Sequence, residues 1–70
     1  MATFPVTDEK GHVYADAQEL SGAIEYLERD AEYLRRQVSK YSDLAVKERV
    51  MRNAERSHQY SVSLRRLGQL

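Results

Sequence analysis

The sequence predicts a mainly α-helical protein: an antiparallel helical hairpin, about 16–41 and 43–67, with a short N-terminal β-hairpin or extended arm, dimerising into a four-helix bundle. Three observations predict it. Apolar residues alternate at intervals of three and four from Ala17 to Tyr41. A second, weaker alternation runs from Val46 to Leu67. Only Ser42, Asp43, Leu44 and Ala45 lie between them, and the polar pair Ser42-Asp43 marks the turn. A 3-4 rhythm marks one face of a helix, and a short connection makes two helices antiparallel neighbours.

Residues 1–15 form the arm and residues 16–70 a single helical domain. In TFPVTDEKGHVY, β-formers flank Asp8-Glu9-Lys10-Gly11. A turn closed by glycine between Val6-Thr7 and Val13-Tyr14 reads as a hairpin, and Pro5 suits an edge. An isolated hairpin is weak in water, so this one either packs on something or remains a mobile leader.

The first helix opens at Asp16-Ala17-Gln18-Glu19, an N-cap followed three residues later by glutamate, which is the capping-box spacing. Its seam places Ala17, Ile24, Ala31 and Val38 at a, and Leu20, Leu27, Leu34 and Tyr41 at d. Gly22 stands outside the seam and costs roughly 1 kcal/mol relative to alanine.

The second helix opens near Ser42-Asp43 and closes near Gly68. Val46, Val50, Asn53, Ser57, Tyr60, Leu64 and Leu67 keep the rhythm, with a rival stripe at Val50, Met51, Ala54, His58 and Ser61. Asn53, Ser57 and His58 make a polar step in its middle. They read as a buried layer that selects register, as residues facing water, or as part of a pocket. Pairing outward from the turn sets Leu34 near Val50, Ala31 near Asn53 and Ala54, Leu27 near Ser57 and Leu20 near Leu64. Two helices bury too little apolar surface to offset ordering some 50 residues at roughly 1–2 kcal/mol each. A homodimer is therefore expected, with Leu20, Ile24, Leu27, Ala31, Leu34, Val50, Leu64 and Leu67 in its core.

Composition narrows the function. The chain has 70 residues, no cysteine and 11 residues of each charge sign. There is no disulfide, no thiolate metal site and no cysteine nucleophile. His12 and His58 have no metal-ligand spacing, and neither a nucleophile elbow nor a glycine-rich phosphate loop is present. The expectation is a protein that is not an enzyme, with no cofactor and no metal. No segment has the length of a membrane span or the order of a signal peptide, so a cytoplasmic protein is expected.

Charge is balanced overall but divided along the chain. Residues 1–40 hold eight acids and five bases, and residues 41–70 hold three acids and six bases, giving −3 and +3. Arg49, Arg52 and Arg56 share one face of the second helix, with Arg66 near its continuation. The first reading pairs this stripe with Glu25, Glu28 and Glu32, setting Glu32 near Arg52 and Glu28 near Arg56; such pairs add little energy but fix register. The other reading is a phosphate-binding site for nucleic acid or a nucleotide. Arg35-Arg36 and Arg65-Arg66 complement the helix dipoles.

Tyr26 and Tyr33 stand seven residues apart, so they return to one helix face beside the leucine seam. With Arg29 and Arg36 around them they form the candidate protein-binding site, since tyrosine and arginine dominate interface hot spots. The expected function is stoichiometric binding of a partner protein, as regulator, adaptor or inhibitor. A phage or mobile-element origin is consistent with the small size. The architecture is similar to that of small plasmid-encoded RNA-binding hairpins that dimerise into four-helix bundles, a likeness of shape and not of motif.

Overall fold

A computed structural model describes residues 3–69. In chain order it contains β1 (Val6–Thr7), β2 (Val13–Tyr14), α1 (Ala17–Val38) and α2 (Leu44–Gln69). The two helices pack along each other as an antiparallel hairpin, and the β-hairpin lies across its open end.

The arm is a hairpin. β1 and β2 are antiparallel, with Val6 opposite Tyr14 and Thr7 opposite Val13. Asp8 builds the turn. Its carbonyl accepts from the Gly11 N–H (3.1 Å), and its own N–H donates to the His12 carbonyl (2.9 Å). Its Oδ1 accepts from the N–H groups of Lys10 and His12, both at 2.9 Å. Gly11 has φ +86°, a left-handed conformation open to glycine at little cost.

α1 begins as its capping sequence predicts. Asp16 Oδ1 accepts from the Glu19 N–H at 2.8 Å, and Glu19 Oε2 reaches back to the Ala15 N–H at 3.0 Å. The helix ends at Val38, before Tyr41. The N–H groups of Lys40 and Tyr41 turn back to the carbonyls of Gln37 and Val38. Asp43 then caps α2, accepting from the Ala45 N–H at 2.8 Å. Tyr41, expected as a d residue, thus sits in the connection and is exposed.

From Leu20 on, the seam of α1 follows the sequence pattern, with Leu20 and Ala31 buried and Ile24, Leu27, Leu34 and Val38 half-buried; Ala17, expected at the first a position, is exposed in the opening turn. The seam of α2 differs from the expected one. Ala54, Ser61 and Leu64 are buried, Val50 and Ser57 are half-buried, and Asn53 is exposed. The facing row is therefore Val50, Ala54, Ser57, Ser61 and Leu64, and it combines members of both stripes read from the sequence. Small side chains account for the rotation. Ala54 and Ala31 are both buried, Ser61 satisfies its hydroxyl on the His58 carbonyl (2.6 Å), and a Cβ at Gly68 would come within 3.1 Å of Leu20 Cδ2. Close approach of the helices on this row offsets its polarity, because the serine hydroxyls find partners without water.

The buried core lies at the open end. Tyr14, Leu20 and Leu64 form its centre, with Phe4, Val6, Ala23, Ile24, Leu27, Tyr60 and Leu67 against it. The arm thus supplies a third layer that a bare two-helix hairpin lacks. Towards the closed end the molecule is two helices and nothing more, and the overall Cα extents are 46 × 18 × 15 Å.

Candidate functional site

At about 100° per residue, the residues outside the seam fall on two flanks of the hairpin. Contacts across the helices identify both. On one flank, Asp30 accepts from the Ser57 hydroxyl (2.8 Å), and Ala23, Tyr26 and Leu27 share a groove with Tyr60, Tyr14 and His12. The β-hairpin lies on this side, the arm flank. On the far flank, Arg65 bridges to Glu28.

The arm is fixed by one carboxylate. Asp8 Oδ2 accepts from the hydroxyls of both Tyr14 (2.9 Å) and Tyr60, while its Oδ1 holds the turn. Lys10 Nζ stands 4.3 Å from the centroid of the Tyr60 ring, a cation–π contact. Burial alone would raise the Asp8 pKa. The hydrogen bonds from Tyr60, His12, Tyr14 and Lys10 outweigh it and bring the carboxyl from 3.8 to about 2. Burial, and then the bond to Asp8, raises the Tyr60 hydroxyl above the ordinary phenol value; burial likewise raises Tyr14. The three groups therefore hold one charge, on Asp8, at neutral pH. The sequence signals only part of this. An aspartate at the head of a glycine-closed turn announces the local bonds, but nothing announces a tyrosine 52 residues away.

The sequence-identified tyrosines lie on the arm flank beyond the arm. Tyr26 is 71% exposed and Tyr33 60%. Arg29 and Arg36 are exposed on the same helix, but their phase turns them to its back, and Arg36 is held by Glu32 at 2.6 Å. Across the interhelical groove, the same arithmetic places Val46, Arg49, Asn53 and Arg56 of α2 on the arm flank opposite the tyrosines. The two candidate sets, read separately from the sequence, thus contribute to one face.

The expected pairing of basic and acidic stripes does not form. Glu28 bonds Arg65 and Glu32 bonds Arg36, while Arg52 approaches only Glu48, at 3.9 Å. The cause is geometric: Glu25, Glu28 and Glu32 project on the far flank, and Arg49 and Arg56 on the arm flank. Among the described residues, Arg49 and Arg56 make no salt bridge. Arg66 is separate again. It lines a dent beside the arm's turn with Thr7, Asp8, Glu9, Ser63 and Leu67.

All eight residues expected in the oligomer core line the interior of the single chain. Leu20, Ala31 and Leu64 are buried there, and Ile24, Leu27, Leu34, Val50 and Leu67 are half-buried. Among the described residues, no three His, Asp or Glu side chains gather as a metal site, and no helix is long and apolar enough to cross a membrane. Comparison with protein-family models, curated proteins and solved structures returns no match.

Proposed function

We propose that the chain is a small, cytoplasmic, non-enzymatic binding protein that acts stoichiometrically on a partner protein as regulator, adaptor or inhibitor. One observation carries this reading: the paired exposure of Tyr26 and Tyr33 on a flank that the arm covers at one end only. Two large rings left in water side by side, with arginines nearby, have the composition of a binding hot spot. The protein dimerises into a four-helix bundle through the far flank. There Leu44 (69% exposed) and Met51 (53%) form the apolar row, leaving the tyrosine face free.

The test is a Tyr26→Ala, Tyr33→Ala double variant in affinity capture from the native host. The variant should keep its helical circular dichroism and lose the captured protein. Full-strength capture by a folded variant removes the tyrosines from the binding role.

The lack of acidic partners for Arg49 and Arg56 favours a second reading, nucleic-acid or nucleotide binding. Nuclease treatment separates the two readings, because capture through nucleic acid is lost on digestion. Binding to phosphates also weakens steeply with salt.

A further inference from the structure

We infer that the open stretch of the arm flank is a seat for a third helix, an amphipathic helix of the partner with acidic residues along one edge. This deepens the reading that the tyrosine face binds a partner protein, and it rests on that reading.

The arm shows where a third layer sits. At the open end, Phe4, Val6 and Tyr14 close the groove between the helices. Beyond Tyr26 the flank runs on towards the connection, over the helical length from Tyr26 to Gln37, about 17 Å or three turns.

Period identifies the occupant as a helix. Tyr26 and Tyr33 repeat at seven residues on one wall. Val46, Asn53 and Tyr60 repeat at seven on the other, as do Arg49 and Arg56. Each wall thus presents side chains at about 10.5 Å intervals. That is the spacing at which a helix laid along the groove presents its own heptad knobs. A single-stranded nucleic acid follows its backbone and has no such repeat.

Charge identifies the edge. Arg49 and Arg56 stand on this flank. The flank's acid between arm and connection, Asp30, accepts from the neutral Ser57 hydroxyl, so this stretch sets two guanidinium groups against one carboxylate. Glu25, Glu28, Glu32 and Glu55 belong to the far flank, and Glu48 to the back of α2. A basic helix would meet a net like charge here, and an acidic edge would meet Arg49 and Arg56, which make no salt bridge among the described residues.

The experiment measures fluorescence anisotropy with three-heptad probe peptides at low and moderate salt. One peptide carries leucine at a and d and glutamate along one edge; the other carries lysine in place of glutamate. A thymidine oligonucleotide is the third probe. The acidic peptide should bind at least about tenfold more tightly than the basic one. An Arg49→Glu, Arg56→Glu variant should reverse that preference, and amide shifts on binding should centre on Tyr26, Tyr33 and Asn53. Equal affinity for the two peptides overturns the inference. So does tighter binding of the oligonucleotide, or self-association that perturbs those amides without any probe. Host capture then separates this inference from the reading beneath it. Capture lost in Tyr26→Ala, Tyr33→Ala but kept in the charge-reversed variant defeats the acidic helix alone. Capture kept in both folded variants defeats both.

Discussion

At the scale of the residue, Asp8 decides whether the arm is part of the fold. Its carboxylate accepts from two turn amides and from two tyrosine hydroxyls, one on the arm and one on α2. Asp8→Asn keeps the shape but removes the charge and presents an amide donor in place of an acceptor. A lost charge-assisted bond with an unsatisfied partner costs about 1–3 kcal/mol. The thermal midpoint should fall, and amide exchange should rise first at Val6, Thr7, Val13 and Tyr14. The sign with pH follows from the depressed pKa. The folded carboxyl titrates near 2 and the unfolded one near 3.8. Its stabilisation is complete above pH 3.8 and is lost as pH falls through about 2. The gap in midpoint between the native chain and Asp8→Asn should therefore hold from pH 7 to pH 4 and close towards pH 2. A gap that stays constant down to pH 2 would show that the charge on Asp8 is not what holds the arm.

At the scale of the element, local signals were read well and phase was read poorly. The capping box at Asp16–Glu19, the glycine-closed turn and the a/d row of α1 all rest on neighbours within a few residues, so the sequence displays them. The phase of α2 rests on which small residues can approach α1. Ala54 takes the interior over the more polar Asn53, and Ser61 is buried because its hydroxyl bonds internally, while Tyr60 packs at the edge of the core. That phase error also misdirected the charge reading, since it set Arg52 and Arg56 against acids that point elsewhere. The tyrosines were legible as a pair but not as one wall of a groove. Two glycines test the element-level account. Gly22 lies on the outside of α1, and an added Cβ there meets nothing within 4 Å. Gly22→Ala should stabilise by about 0.5–1 kcal/mol and raise the melting midpoint by several degrees. Gly11 also has open space around it but holds a left-handed φ of +86°. Gly11→Ala should destabilise by roughly 1–2 kcal/mol and loosen the arm. The opposite signs, read from urea unfolding of the two variants, separate a backbone requirement from simple crowding.

At the scale of the whole molecule, burial is uneven along the rod. Tyr14, Leu20 and Leu64 cluster at the arm end, whereas at the closed end Tyr33, Tyr41, Leu44 and Met51 remain in water. A 70-residue chain with its core at one end has little margin alone. Association on the far flank would bury Leu44 and Met51. Stability coupled to association depends on concentration. The melting midpoint of the native chain should rise with protein concentration, and sedimentation should give twice the monomer mass at the upper end. Leu44→Glu with Met51→Glu places charge on the apolar row and adds acids beside those of α1. This variant should sediment as a monomer, melt at a midpoint independent of concentration, and still bind through the tyrosine face. If it remains a dimer, the far flank is not the contact. If it loses dimerisation and partner binding together, the two flanks are not independent, and the partner's seat would have to be sought across two copies.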